Sequence, residues 1–206
     1  MSHQTDSPVS PQKAPSHLRL CVEEYEGHRA LMEDGVILSV AVGENDPPFG
    51  YWAAMLPEGS PKSALLLGLG AGTLAQLLTR RFSDIRIVGV DIDPEIVEFA
   101  RLHFDLALPN LQVVVGDAFA YAARCSECFD YVAVDLFRGH AFQRAALSRP
   151  FLRHLKTIAG PTGEIAVNLF KDRRSEVYVN RLARVLHVHR VERLTRNVIV
   201  HCRAEP

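Results

Sequence analysis

Long apolar runs, abundant cysteine and an excess of one charge are all missing from this 206-residue chain. No apolar run approaches the length that spans a bilayer. The formal net charge of −1 gives no strong field toward nucleic acid or an anionic membrane. The N-terminus has neither the basic start nor the apolar stretch of a secretory signal. We therefore expect a cytoplasmic protein without a nucleic-acid or membrane partner.

Cysteine is limited to four residues, which restricts disulfide and metal chemistry. Cys125 and Cys128 have the CxxC spacing of a redox pair or half a zinc site. A closed zinc site needs four ligands, and neither a second CxxC nor a close histidine pair accompanies this one. The motif also precedes a predicted strand, whereas a helix start would stabilise a thiolate. The sequence predicts unpaired thiols and no metal site.

The composition divides the chain into three segments. Residues 1–17 are rich in serine, proline and glutamine, which predicts a flexible tail. Residues 18–56 contain short β-like stretches separated by Glu-Gly at 26–27 and Asp-Gly at 34–35, which are turn-prone pairs. This segment is predicted to form a β-hairpin region followed by a short helix. Residues 62–206 are predicted to form one Rossmann-like domain.

The third segment alternates strand and helix patterns. Its strands are near-continuous Val/Ile/Leu runs, as expected when helices cover both faces of a parallel sheet. The predicted fold class is α/β, with a mostly parallel sheet and an antiparallel last strand. Strands are predicted at 64–67, 85–90, 111–115, 131–134, 164–168, 188–191 and 198–202, and helices at 73–82, 94–104, after 117, 142–155 and 174–186.

A glycine-rich turn follows the first of these strands and opens a helix. Gly68, Gly70 and Gly72 let the backbone turn sharply and approach a ligand closely. Asp91 ends the second strand, roughly 20 residues on, where an acid meets the ribose of an adenosine ligand. The alternatives are a tight turn without a ligand and, for Asp91, a helix cap that Asp93 would fill better.

An NAD site would share these features but fits the glycine spacing poorly. The G-x-G-x-x-G/A fingerprint needs a small residue at the position of Thr73, and the third glycine comes one residue early at Gly72. Asp117 and Asp135 follow the third and fourth strands. Acids at the carboxyl ends of successive strands lie on the edge where open α/β sheets bind ligands. The pattern indicates a nucleotide-type ligand other than NAD.

Residues 64–137 resemble the core of class I S-adenosylmethionine-dependent transferases. Within that class the chain is similar to the spermidine synthases and their methyltransferase-like relatives. The hairpin residues 31–37 and the segment 49–56 around Tyr51 carry this resemblance, because most methyltransferases lack them. The resemblance implies S-adenosylmethionine, or its decarboxylated form, as cofactor, and a possible homodimer.

The resemblance also implies a set of site residues. Asp91 would hold the ribose, Asp117 would bond the adenine amino group, and Asp135 would lie beside the sulfonium and the incoming nucleophile. Asp135 is the candidate to take a proton from the acceptor, and Tyr51 is the candidate to line its pocket. The implied cofactor-binding residues are Gly68, Gly70, Ala71, Gly72, Asp91, Ile92, Asp117, Ala118 and Asp135, and the implied catalytic residues are Asp135 and Tyr51.

Departures from the family pattern affect the expected reaction. Aminopropyltransferases carry an acid at the position of Ala71, and a second acid at the position of Arg138. Leu38 and Trp52 likewise replace polar residues of the pattern. Polyamine sites need carboxylates, because an ammonium group without a partner is costly to desolvate. These changes favour methyl transfer to a small molecule or protein side chain, with aminopropyl transfer and a non-catalytic nucleotide-binding module as alternatives.

Overall fold

The computed structural model describes residues 20–43 and 46–205. The predicted tail, residues 1–17, lies outside the described residues. Within the described part, no helix has the length and apolar character that crossing a membrane requires. The strands are Leu20–Tyr25 (β1), His28–Glu33 (β2), Val36–Val40 (β3), Ser63–Leu67 (β4), Arg86–Asp91 (β5), Leu111–Val115 (β6), Tyr131–Val134 (β7), Phe137–Arg138 (β8), Ala141–Phe142 (β9), Glu164–Phe170 (β10), His187–Arg193 (β11) and Asn197–Arg203 (β12). The helices are Gly50–Ala54 (α1), Thr73–Arg81 (α2), Pro94–His103 (α3), Ala118–Arg124 (α4), Arg149–Ala159 (α5) and Ser175–Ala183 (α6).

The first three strands form an antiparallel sheet, as the hairpin prediction required. Its two turns contain the residue pairs that the sequence singled out. Glu26 and Gly27 have φ of 51° and 82°, and Asp34 and Gly35 have φ of 49° and 77°. Two successive residues with positive φ make the two-residue turn that matches the twist of a hairpin. The hairpin prediction is confirmed.

The main sheet has seven strands in the order β11-β12-β10-β7-β4-β5-β6. Five neighbouring strands, from β10 to β6, are parallel, whereas β12 pairs antiparallel with both β10 and β11. The predicted fold class, a mostly parallel sheet with an antiparallel last strand, is confirmed. The carboxyl ends of β4, β5 and β7 therefore meet at one edge of the sheet.

Apolar layers cover both faces of this sheet, as the strand composition predicted. In β4 the side chains alternate, so that Leu65 and Leu67 pack toward α4, α5 and α6. Leu66 packs on the other face with α1, α2, α3 and the hairpin sheet. All three leucines are at most 1% exposed. The domain thus buries a core on each side of the sheet and leaves its carboxyl edge open.

The prediction of one helix over 142–155 is wrong. The chain instead forms the small hairpin β8–β9, whose turn residue Gly139 has a φ of 52°, and then a 3-10 turn at Arg144–Leu147. Helix α5 begins only at Arg149, because Pro150 lacks a backbone N–H and is tolerated only in the first turn of a helix. This places β8–β9 beside the edge of the sheet.

Hydrogen bonds attach the hairpin sheet to the glycine-rich turn. The Ala71 amide donates to Ser39 Oγ at 2.7 Å. Thr73 Oγ1 accepts from the Val40 amide at 2.8 Å and donates to the Val40 carbonyl at 2.7 Å. Thr73, which does not fit a dinucleotide fingerprint, therefore serves the attachment through its hydroxyl. A Cβ at Gly70 would lie 2.7 Å from Ser39 Oγ, so the approach of β3 requires glycine there.

Gly68 provides a test of how closely the turn packs. Its φ is +92°, and a Cβ would lie 2.1 Å from the backbone oxygen of Asp135. We expect Gly68→Ala to lower the free energy of unfolding by about 3 kcal/mol, because neither backbone segment can move far. Urea unfolding measures this change. Gly59→Ala is the control, since Gly59 has open space around it; equal stability of the two variants would contradict the described packing.

Candidate functional site

A large cleft opens at the carboxyl edge of β4, β5, β7 and β10. The hairpin sheet, α1 and the β8–β9 hairpin form its walls, and its volume is about 1920 Å³. Pockets for a single small ligand usually measure roughly 300–1,000 Å³. The cleft therefore has room for a cofactor and a second substrate together.

Asp91 supports the glycine-rich turn at one end of this cleft. Its Oδ2 accepts from the amides of Leu69 at 3.1 Å and Gly70 at 2.8 Å, and its Oδ1 accepts from the amide of Asp93 at 3.1 Å. Burial raises the pKa of Asp91 although these amides favour the ionised form. Asp93 caps α3, as expected, by accepting from the Glu95 amide at 2.8 Å. The predicted ribose contact of Asp91 stays a prediction, and the support of the turn is a role that the sequence did not indicate.

The predicted cofactor residues fall into two groups by position. Ala71 is 1% exposed within an apolar layer, and Gly72 packs so closely that a Cβ would lie 2.3 Å from Leu106 Cδ1. These two residues shape the turn from behind and do not line the cleft. The predicted residues that do line it are Gly68, Gly70, Asp91, Ile92, Asp117, Ala118 and Asp135.

Asp117 lies at the start of α4, on the same side of the cleft. Its Oδ1 accepts from the Ala120 amide at 2.8 Å, which makes it the cap of that helix. Ala118 beside it is 7% exposed, whereas Ile92, which follows the neighbouring strand β5 and also lines the cleft, is 47% exposed. An exposed apolar side chain in a cleft offers a surface for an apolar or aromatic ring. Contacts of these residues with an adenine ring stay a prediction.

Asp135 lies at the centre of a hydrogen-bond network at the other end of the cleft. The Tyr51 hydroxyl donates to Asp135 Oδ2 at 3.0 Å, and Asn168 Nδ2 donates to Asp135 Oδ1 at 2.8 Å. Asn197 Nδ2 in turn donates to Asn168 Oδ1 at 2.9 Å. The network joins α1, the end of β7, β10 and β12. Tyr51 and Asp135, predicted together as the catalytic pair, are thus in direct contact.

The electrostatics of this network suit proton transfer. Burial raises the pKa of Asp135 to about 6, although the hydrogen bonds from Asn168 and Tyr51 oppose the shift. Burial and the neighbouring Asp135 raise the pKa of Tyr51 well above its usual value, so its hydroxyl stays protonated and donates. A carboxylate whose pKa is near neutral pH is a more effective proton acceptor than an ordinary aspartate.

Asn168 and Asn197 were missed by sequence reasoning. Asn168 is 1% exposed, in a run of buried residues of β10. A polar residue near the carboxyl end of an apolar parallel strand could have indicated Asn168 as a site residue, because Asp135 was already predicted at the same edge of the sheet. Asn197 begins the antiparallel strand β12, and no pattern in the sequence links it to Asn168.

Buried groups position α1, the helix that carries Tyr51. His201 is fully buried on β12, with Nδ1 2.7 Å from Glu164 Oε1 and Nε2 2.8 Å from the Ala54 carbonyl oxygen. The Tyr131 hydroxyl donates to the carbonyl of Met55, one residue beyond Ala54. These contacts fix the end of α1 to the sheet, so the Tyr51 hydroxyl is held toward Asp135 by groups outside the cleft.

The chain is similar to known transferases in sequence and in fold. A methyltransferase domain model matches residues 64–163. A polyamine aminopropyltransferase of Chromobacterium violaceum is 27% identical over 79% of this chain and 69% of its own length. A probable spermidine synthase from Corynebacterium glutamicum has a TM-score of 0.76 at 19% identity, covering 96% of this chain and 81% of that one. Human methyltransferase-like protein 13, solved in complex with SAH, has a TM-score of 0.61 at 26% identity, covering 71% of this chain and 73% of that one.

These similarities define a class of protein and a likeness within it. The fold and the domain match define an enzyme of the transferase kind with the class I methyltransferase fold. Within that class the chain is similar in sequence to polyamine aminopropyltransferases and in fold to a probable spermidine synthase. Two further sequence relatives are matched over only 18% and 41% of their own length.

Removing the Tyr51 hydroxyl tests the network without requiring an assay of activity. The hydroxyl stabilises ionised Asp135, so Tyr51→Phe should raise the pKa of Asp135 above its value of about 6, by roughly 1 pH unit. The ring stacks on Trp52 with centroids 4.2 Å apart, which should keep the fold intact. A ¹³C-carboxyl NMR titration measures the pKa. Tyr121→Phe, on α4, is the control, and an unchanged Asp135 pKa in Tyr51→Phe would contradict the network.

Proposed function

We propose that this protein transfers a methyl group from S-adenosylmethionine to a small molecule or a protein side chain. The observation that carries the proposal is the Asp135 network. The carboxylate of Asp135, whose pKa is raised to about 6, faces a cleft that the glycine-rich turn also lines. The domain match and the relatives support S-adenosylmethionine or its decarboxylated form as cofactor. The choice between the two depends on the residues of the turn and of the cleft mouth.

The glycine-rich turn favours the intact form of the cofactor. Residues 68–73 contain no acid, so nothing in the turn repels the carboxylate of S-adenosylmethionine. Ala71 occupies the position where the family's aminopropyltransferases carry an acid, and its side chain is enclosed by apolar neighbours. A carboxylate could be placed there only at a large cost of desolvation. The turn itself therefore offers decarboxylated S-adenosylmethionine no acid to pair with its amine.

Asp135 has two tasks in this reaction. When bound, the cofactor supplies a methyl group on a positively charged sulfur, which leaves as a neutral thioether. Asp135 accepts the proton that an amine or hydroxyl acceptor loses as the new bond to carbon forms. Tyr51 and Asn168 hold the two carboxylate oxygens in fixed directions, which aligns the acceptor and lowers the entropic part of the barrier.

Aminopropyl transfer is the second candidate, and the fold favours it. The three-stranded hairpin sheet and the α1 segment are retained, and the likeness to a probable spermidine synthase covers 96% of the chain. Against it, Arg138 stands where the family pattern has a second acid, and its side chain is exposed at the cleft. A putrescine-like diamine would meet a cation where it needs a carboxylate.

Calorimetric titration with the two cofactor forms distinguishes these candidates. We expect S-adenosylmethionine to bind more tightly than its decarboxylated form, because the turn lacks an acid. Asp91→Asn should weaken the binding of both cofactor forms to the same extent, since both carry the same ribose. A preference of about tenfold for the decarboxylated form, or about 1.4 kcal/mol, would contradict methyl transfer. Binding of neither form, nor of methylthioadenosine, would support a non-catalytic module.

Replacing the central carboxylate tests its part in turnover. Asp135→Asn should leave the affinity for S-adenosylhomocysteine nearly unchanged and lower turnover about 100-fold or more, the scale of losing a general base. Wild-type activity should rise with pH through the Asp135 pKa of about 6 and level off above it, because the ionised form accepts the proton. The assay is S-adenosylhomocysteine release with small amines, alcohols and acids. Near-normal turnover of the Asp135→Asn variant would show that Asp135 has only a structural role.

A further inference from the structure

Charged side chains are divided between the two ends of the cleft. At the end of the cleft formed by the glycine-rich turn, which we call the cofactor end, the charged side chains are acidic. These acids lie close enough together to affect the pKa of Glu33. Burial and the charges of Asp93, Asp34 and Asp91 raise the pKa of Glu33. All four line the cleft, as does Asp117. A ligand that carries a positive sulfonium suits this end.

The other end, around Asp135, carries cations. Each strand end that supplies a residue of the Asp135 network also supplies a basic side chain to the cleft. Arg138 follows Asp135 by three residues, Lys171 follows Asn168 by three, and Arg196 immediately precedes Asn197. The Lys171 amide donates to the Arg196 carbonyl at 2.8 Å, which holds two of these strand ends together. We call Arg138, Lys171 and Arg196 the basic rim.

The basic rim is not neutralised by neighbouring carboxylates. In the described part of the chain, none of its three side chains forms an ion pair, although Lys171 Nζ donates to the Leu194 carbonyl at 2.7 Å. Arg193, also in the cleft, is different because it pairs with Glu176 at 2.7 Å. Asp135 is the acid of this network, and Glu26, which also lines the cleft, adjoins Tyr25, a residue that interacts electrostatically with Arg196. Cations therefore outnumber acids at the acceptor end.

Aromatic side chains lie among these cations. Phe170, between Asn168 and Lys171, lines the cleft and is 37% exposed. Phe137, next to Arg138, also lines it and packs on Phe142 with ring centroids 5.5 Å apart. An exposed phenylalanine in a cleft has apolar surface that an apolar ligand can cover. The acceptor end thus combines apolar surface with unpaired positive charge.

We propose that the acceptor is a small acid with an apolar or aromatic body, held by its carboxylate or phosphate against the basic rim. This proposal rests on the proposed function, because it assigns the second substrate of the same cleft. Guanidinium groups bind carboxylates and phosphates through charge-assisted hydrogen bonds, and like charges repel polycations. The rim therefore selects an acid and rejects a polyamine.

Three pairs of probes, matched in shape but opposite in charge, test this proposal. They are phenylacetate and phenethylamine, 4-hydroxyphenylacetate and tyramine, and indole-3-acetate and tryptamine. The Kd of each is measured on the full chain, with and without saturating S-adenosylhomocysteine. In at least one pair the acid should bind about fivefold or more tightly than the amine, and this preference should fall as salt is added.

Variants of the rim identify the residues responsible. Arg138→Gln and Arg196→Gln should each raise the Kd of the acid about threefold. The Kd of the amine should stay unchanged or fall slightly. Arg153→Gln is the matched control, because Arg153 is an exposed arginine on α5 outside the cleft. Thermal unfolding of each variant checks that the fold is retained.

Several results would overturn the proposal. They are equal or tighter binding of the amine in all three pairs, no measurable binding of any acid, or an acid preference that Arg138→Gln and Arg196→Gln leave intact. Tighter binding of an acidic peptide than of all three acids would instead assign a protein acceptor. Failure of the proposed function is a separate result, because it appears as absent S-adenosylhomocysteine binding while the probes still report the charge preference of the cleft.

Discussion

The Asp91 carboxylate holds the turn on which both ends of the cleft depend. By accepting from three backbone amides it fixes Leu69 and Gly70 above the end of β5. The same turn approaches Asp135 through Gly68 and binds the hairpin sheet through Ala71 and Ser39. Without the Asp91 carboxylate these buried amides would have no hydrogen-bond partner, which is costly. The Asp91 hydrogen bonds therefore fix the geometry of the turn before a ligand binds.

A second chain of contacts determines where Tyr51 lies. The end of α1 is bonded to His201 of β12 and Tyr131 of β7, both fully buried. Tyr51 therefore reaches Asp135 from a helix that is fixed at the opposite side from the cleft. Burial raises the Asp135 pKa and the hydrogen bonds from Asn168 and Tyr51 limit that rise. Both effects follow from the packing of α1 against the main sheet.

Local patterns predicted most of the fold, and the reasons are physical. Asp-Gly and Glu-Gly pairs need positive φ, Pro94 opens a helix, and apolar strands must be covered on both faces. The helix predicted over 142–155 is shorter in the structure, because Pro150 must lie in the first turn of α5 and the preceding residues form a 3-10 turn. Asp135 and Tyr51 could be paired only through the family resemblance, because they are 84 residues apart. Asn197 could not be found, since the antiparallel register of β12 is set by tertiary packing.

The residues of the cleft differ in how well they should tolerate substitution, because some are exposed and others are buried. Arg138, Lys171 and Arg196 are exposed at strand ends, whereas Asn168, which belongs to the same edge, is 1% exposed. Surface substitutions usually change stability by less than about 0.5 kcal/mol, whereas disruption of a buried network costs much more. A lineage with this fold can therefore exchange the charge at this edge of the cleft through a few mutations that leave the Asp135 network and the glycine-rich turn unaltered. Divergence of substrate class is evolutionarily accessible here without loss of the scaffold.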